Sequence, residues 1–287
     1  MSDGEQKLSD STGKFVQVVV DGRKRNEVDW LNGRLILSNK RLVLVSNEGK
    51  RTIALSEVSG VKSGTNVNEA IAKVSGYLSL QVGSNVTLIS PNDVEEFERK
   101  LYGALLDQSV VLVKHPAVEG GVVQDTGWEK GRLSTEDDTV NLALANGTFV
   151  ELLVDDVGTV ERAEKTVRGK KRRVVEAEHT IDGTSVETHV SGGGQTVAVL
   201  ESCVRRGEQQ NETDVDLSQA ENEVLMALYS GVSAFQIPSF VGMDVDDVED
   251  IFQRLIENDI LEDVRVRKEV QLEARGRSVA SDAMADQ

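Results

Sequence analysis

Few residues in this 287-residue chain have the types and spacing that chemistry needs. The imidazoles are His115, His179 and His189, and the last two fall on adjacent expected strands, where their rings could approach. Two imidazoles with neither a cysteine nor a fixed carboxylate beside them make a poor metal site, so surface or pairing histidines account for them better. Cys203 is the single cysteine, which excludes an internal disulfide and any Cys-x-x-Cys pair for zinc or redox work. Arg205 and Arg206 beside it could acidify its thiol, but a half-buried structural cysteine is the simpler account. Gly192-Gly193-Gly194 lacks the Lys-Ser/Thr that a phosphate loop requires and reads as a turn. No Ser/His/Asp order and no paired-carboxylate motif stands out. These residue types point away from an enzyme and assign no catalytic, cofactor-binding or metal-ligating role.

What remains is charge, which recruits partners rather than breaking bonds. Lys165, Arg168, Lys170, Lys171, Arg172 and Arg173 crowd around a turn at Gly169. Six cations on one hairpin create a local positive field that can steer an acidic partner. A smaller cluster, Arg23-Lys24-Arg25, lies near the start of the chain. Of opposite sign is Asp244-Val245-Asp246-Asp247-Val248-Glu249-Asp250, with five acids and no base. We take Arg168, Lys170, Lys171, Arg172, Arg173, Asp246, Asp247, Glu249 and Asp250 as the candidate partner-binding residues.

The charge is unevenly distributed. Residues 1–107 hold 14 basic and 14 acidic side chains, residues 108–211 hold 12 and 17, and residues 212–287 hold 6 and 18. The last quarter thus supplies −12 of the chain's net −17. Such a balance argues against coating nucleic acid or spreading on an anionic membrane. Acidity also suits solubility in a salt-rich cytoplasm. Residues 1–13 are polar, with no apolar signal core, and no apolar run approaches the roughly 18 residues of a membrane span. A cytoplasmic protein without membrane insertion is expected.

The elements that must carry these charges are legible from a weak internal repeat. Trp30-Leu31-Asn32-Gly33-Arg34-Leu35 and Trp128-Glu129-Lys130-Gly131-Arg132-Leu133 share W-x-x-G-R-L at an offset of 98 residues. Each is followed by alternating apolar runs around a turn, Asn47-Glu48-Gly49 in one and Asn146-Gly147 in the other. That is a strong hairpin signal. Further strands follow near 77–82, 86–90, 173–181 and 184–190. Each copy ends in a helix, the first after Ser90-Pro91-Asn92-Asp93 with Ser90 as a possible cap, the second over about 195–206. Val94, Phe97, Leu101 and Leu105 form one apolar stripe, and Val197, Leu200 and Val204 another. Several strands closed by one amphipathic helix suggest a pleckstrin-homology-like roll, and Gly33 to Leu42 also suggests a GRAM-like one.

The C-terminal quarter has helical periodicity over 217–229, 234–240 and 245–258, then a two-stranded ribbon over 260–266 and 270–273 and a last helix over 276–284. This is winged-helix order. The position of the recognition helix is the acidic stretch, which phosphates would repel, so a protein-docking use is favoured over DNA. The expected architecture is α+β: a disordered 1–13, roll one over 14–107, roll two over 108–207, a linker over 208–216 and an acidic winged helix over 217–287.

The stretch from Ala220 to Ser233, AENEVLMALYSGVS, together with Phe240-Val241-Gly242-Met243-Asp244, Arg275-Gly276-Arg277 and the Gly33–Arg41 segment, resembles the archaeal taxis family CheF. The acidic composition suits a haloarchaeal member. The resemblance implies a non-enzymatic adaptor, without cofactors, that binds the phosphorylated response regulator CheY, CheD and archaellum switch proteins of the FlaC/FlaD/FlaE type. It also implies recruitment to the archaellum motor at the cell pole or membrane. The competing expectation is a winged-helix transcription regulator with ligand-sensing roll domains.

Overall fold

The computed structural model describes residues 4–25, 28–64, 74, 76–211, 217–258 and 260–261. The chain divides into two compact units, 1–214 and 215–287. The first unit opens with β1 (Lys7–Val20), β2 (Arg23–Lys24), β3 (Leu31–Ser38), β4 (Arg41–Ser46), β5 (Gly49–Ala54), β6 (Val58–Gly64), β7 (Tyr77–Val82), β8 (Asn85–Pro91) and α1 (Val94–Leu106). It repeats the series as β9 (Val110–Glu119), β10 (Val122–Val123), β11 (Glu129–Glu136), β12 (Thr139–Leu144), β13 (Phe149–Leu153), β14 (Val160–Val167), β15 (Lys170–Ile181), β16 (Thr184–Ser191) and α2 (Gly194–Asn211).

Two curled antiparallel sheets of the same topology result. Their orders are β5-β4-β3-β1-β8-β7-β6 and β13-β12-β11-β9-β16-β15-β14, with β2 paired to β1 and β10 to β9. The repeated W-x-x-G-R-L motif opens β3 and β11, and its glycine has a packing reason. A Cβ on Gly33 would come within 2.1 Å of the Val45 carbonyl oxygen, and one on Gly131 within 2.9 Å of Leu144. Both copies need a bare backbone there for the neighbouring strand to approach.

Alternation along each strand sends one set of side chains inward. Leu35, Leu37, Leu42, Leu44, Leu78, Leu80 and Ile89 from the first sheet join Val111, Val113, Leu133, Leu142 and Val190 from the second in one continuous core. The helices make this possible, since α2 packs on β6 of the first sheet as well as on β14 and β15 of its own. Gln195 Nε2 of α2 donates to the Leu55 carbonyl at 2.8 Å. A polar seam joins the two helices: Asp138 accepts from Arg99 of α1 at 3.0 Å and also pairs with Arg206 of α2.

Three boundaries differ from expectation. Residues 7–13, read as part of a disordered N-terminus, belong to β1 and pair with β3 over Lys7–Phe15. Their backbone pairing, with Leu8 packed on the core and Asp10 held by Arg34 at 2.5 Å, replaces the apolar content the segment lacks. The cap of α1 is Asp93, which accepts from the Glu96 amide at 2.9 Å, while Ser90 and Pro91 remain in β8. The helix α2 continues past the expected linker start to Asn211. Gly207 holds it there, since a Cβ would meet the Val154 carbonyl oxygen at 1.6 Å.

In the second unit, α3 (Gln219–Tyr229), α4 (Ile237–Val241) and α5 (Val245–Glu257) enclose a small core of Val224, Ala227, Ile237, Val248 and Leu255. Ser218 and Glu221 form a capping box, a start signal for α3. Arg254 of α5 reaches back to Glu221 at 3.1 Å. Ile260 and Leu261 pack against this core. The rest of the expected ribbon and the last helix lie outside the described residues.

Candidate functional site

The basic hairpin is built by β14 and β15 around the two-residue turn Arg168-Gly169, both at positive φ (47° and 78°). That geometry is the tight hairpin turn whose twist matches the strands it joins. Arg168, a side chain in a region that favours glycine, directs its guanidinium onto the Trp128 carbonyl from Nε and Nη2 at 3.1 and 2.6 Å. Lys165 is held by Glu176 at 2.8 Å. Two of the six cations are therefore committed within the fold. Lys170, Lys171, Arg172 and Arg173 are all exposed, and none makes an ion pair among the described residues. Arg172 stands directly opposite Lys165 across the pair. Like charges facing each other cost stability, and an acidic partner would relieve that cost.

The acidic candidates lie on α5. Asp244 caps the helix by accepting from the Val245 amide at 2.8 Å. Asp246, Asp247, Glu249 and Asp250 are exposed on its first two turns. Acids in a first helical turn are favoured by the helix dipole, which explains Asp246 and Asp247 in part. Apolar side chains of the same unit are exposed as well: Met226 and Tyr229 on α3, Phe235, Phe240 and Val245 are each more than half accessible. The sequence pattern does not single these residues out. The signal for Met226 and Tyr229 was their spacing of three, on the side of α3 away from Val224 and Ala227.

The histidines do not arrange as expected. His179 and His189 lie on neighbouring strands but on opposite faces of the sheet. His179 points inward and stacks on His115, with ring centroids 6.1 Å apart. Thr188 joins them: its Oγ1 lies 2.7 Å from His115 Nδ1 and 2.8 Å from His179 Nε2. With one hydroxyl proton, Thr188 donates to one ring and accepts from the other. Burial lowers the pKa of His115, and burial and then His115 bring that of His179 down to about 4. Both rings are neutral near pH 7.

His189 faces outward beneath Trp128, its Nε2 at 3.0 Å from Glu187 and 3.6 Å from Glu176. These three residues could offer ligand atoms to one metal ion, all within 4.8 Å of one another. The Lys165 ammonium already sits on Glu176 and supplies positive charge there. Cys203 is fully enclosed in the core between the sheets, and burial pushes its thiol pKa up to about 12. This is the opposite of an activated nucleophile. No helix among the described residues is long and apolar enough to cross a membrane.

The sheet pairings also reveal which residues of the two copies correspond. Gly13 pairs with Gly33 as Val111 pairs with Gly131, and Phe15 pairs with Ile89 as Val113 pairs with Val190. Counting along the strands aligns Gln17 with His115 and Thr87 with Thr188. Arg51, opposite Leu44, aligns with Val150, opposite Leu142. The inward position that holds His179 in the second copy holds Val82 in the first. Both copies thus carry a polar cluster at the same interior place, with different members.

The doubled α+β frame of the first unit falls within a family of archaeal chemotaxis signal transduction proteins. Residues 7–210 match the family described as archaeal chemotaxis signal transduction system protein F, and residues 216–285 match a domain of unknown function. The chain is 48% identical over 290 residues, spanning all of both chains, to Taxis protein CheF1 of Halobacterium salinarum. It is 25% identical over 277 residues to Taxis protein CheF2 of the same organism, covering 90% of this chain and 92% of that one. This chain belongs to the CheF family and is a haloarchaeal member of it.

Proposed function

We propose that the chain is a non-enzymatic adaptor which links phosphorylated CheY, together with CheD, to archaellum switch proteins of the FlaC/FlaD/FlaE type and so sets rotational switching. In this proposal the two sheets are pleckstrin-homology/GRAM-like rolls closed by α1 and α2. Residues 217–287 form a winged helix used for protein docking. The observation that carries the proposal is the separation of unpaired charge. Lys170, Lys171, Arg172 and Arg173 project from the first unit, and Asp246, Asp247, Glu249 and Asp250 from the second, which also exposes apolar side chains. Surfaces of opposite sign on separate units suit two partners of opposite charge. Phosphorylation would change affinity by altering the regulator's own docking surface. Binding would draw the adaptor to the motor at the cell pole or membrane.

Capture from motile cells tests this. One full-length variant carries Lys170→Ser, Lys171→Ser, Arg172→Ser and Arg173→Ser, and another carries Asp246→Asn, Asp247→Asn, Glu249→Gln and Asp250→Asn. Each is expected to lose one partner class and keep the other, with losses on the order of 10-fold or more at moderate salt. If either variant lost both classes, or both variants kept both, the division of labour would be wrong.

A further inference from the structure

The first sheet lines an open groove of about 680 Å³ whose polar wall includes Gln17, Arg51 and Thr87. Arg51 is on the edge strand β5, on the same face as the buried Ile53, so its side chain turns inward rather than to solvent. Its Nη1 donates to Gln17 Oε1 at 2.7 Å. Among the described residues it makes no ion pair, and burial alone lowers its pKa, with no carboxylate acting to restore it. Half-burying a guanidinium without a counter-charge costs stability. Thr87 is 1% exposed, and its Oγ1 is buried without a hydrogen-bond partner among the described residues. A buried hydroxyl left unpaired is a second cost at the same place.

One ligand that displaced the atoms covering the Thr87 hydroxyl and met the Arg51 guanidinium would remove both costs. An oxyanion can accept two bonds from a guanidinium fork and one from a hydroxyl. Arg25 and Lys50 at the rim, against Asp29 and Glu48, leave the lining with three cations to two acids, although the chain as a whole has a net charge of −17. The volume lies in the range of small-molecule pockets and exceeds what a bare anion fills. Phe15, Leu31 and Leu44 provide apolar wall for an organic part.

We propose that the first repeat binds a small organic phosphate, its phosphoryl group held by the Arg51 guanidinium and the Thr87 hydroxyl and its organic part lying against Phe15 and Leu44. The second repeat is the internal control. Its corresponding place has Val150 instead of Arg51, and its threonine, Thr188, is satisfied by His115 and His179. It should bind no phosphate. The site shares no residue with the charged docking surfaces and does not depend on the adaptor role.

Titration calorimetry on the full chain, folded in concentrated KCl, provides the test. The probes are glycerol 3-phosphate, inorganic phosphate, and vesicles containing an anionic phosphoglycerol lipid. Saturable one-site binding is expected, strongest for an organic phosphate. Arg51→Gln should weaken it at least about 10-fold, and Thr87→Val about 3- to 10-fold. The melting temperature of Arg51→Gln without ligand should not fall, which separates loss of a ligand contact from loss of the fold. Binding of the soluble ester would identify a soluble ligand, and Arg51-dependent binding of vesicles alone would identify a lipid headgroup. Failure of every probe to bind saturably would overturn the proposal. So would binding that survives both substitutions unchanged.

Discussion

The two repeats of the first unit share strand order and a closing helix, and they differ at one interior place. The first repeat puts Arg51, Gln17 and Thr87 there, a cation with no counter-charge and a hydroxyl with no partner. The second puts His115, Thr188 and His179 there, bonded in series and neutral. Outside the core the contrast reverses, since the second repeat carries the unpaired basic hairpin. Glycine at W-x-x-G-R-L and the inward leucines and valines define the frame in both copies. The polar interior position lies outside those requirements and takes different chemistry in each.

The largest effect should come from breaking what the repeats share. Helix α2 lies against β6 of the first sheet and against β14 and β15 of the second. Gly207→Ala would force a Cβ to within 1.6 Å of the Val154 carbonyl oxygen. A backbone atom cannot rotate away, so the loss should be about 3 kcal/mol or more. Each repeat has its own tryptophan, Trp30 or Trp128. Denaturant unfolding followed in Trp30→Phe and Trp128→Phe backgrounds should show both repeats losing stability together. A first repeat whose midpoint stayed in place would show that the copies fold independently.

Acid should separate the copies next. The pKa of His179 is about 4 in the fold and ordinarily near 6.5. A depressed value means that its contribution is complete above pH 6.5 and is lost as the pH falls through 4. At full protonation the loss is roughly 3 kcal/mol. Replacing His179 with Gln should flatten the fall in melting temperature between pH 6.5 and 4 relative to the native chain. A variant that tracks the native curve would remove this histidine from the acid response.

Sequence pattern revealed the frame where physics repeats itself. Alternation, the hairpin turn signals and apolar helix stripes located β4, β5, β7, β8, β12, β13, β15 and β16 and the cores of α1, α2, α3 and α5. It failed at 7–13, where backbone pairing between strands does the work and the side chains are polar. It failed at 207–211, where Gly207 reads as a helix end but permits a close approach. Of the candidate site, the cations at 170–173 and the acids at 246–250 were visible as charge runs. That Arg168 is tied to the Trp128 carbonyl was not visible, because that bond spans 40 residues of sequence. The Arg51 pocket was hidden for the same reason: Gln17, Arg51 and Thr87 are on three strands, and only sheet register unites them.

The smallest expected effect is the most discriminating. Thr87→Val and Thr188→Val are the same substitution at corresponding places in the two copies. In the second repeat the hydroxyl bridges two imidazoles at 2.7 and 2.8 Å, and His179 Nδ1 already lacks a partner. Removing it leaves further buried nitrogens unpaired and should cost about 2 kcal/mol. In the first repeat the hydroxyl has no partner among the described residues, so a methyl group of similar size should cost nothing and can stabilise by up to about 1 kcal/mol. Chemical denaturation in phosphate-free buffer measures both. Opposite signs would establish that one repeat is satisfied from within while the other is built to be completed by a ligand. Equal losses would mean that Thr87 has an internal partner, and the contrast between the repeats would collapse to Arg51 alone.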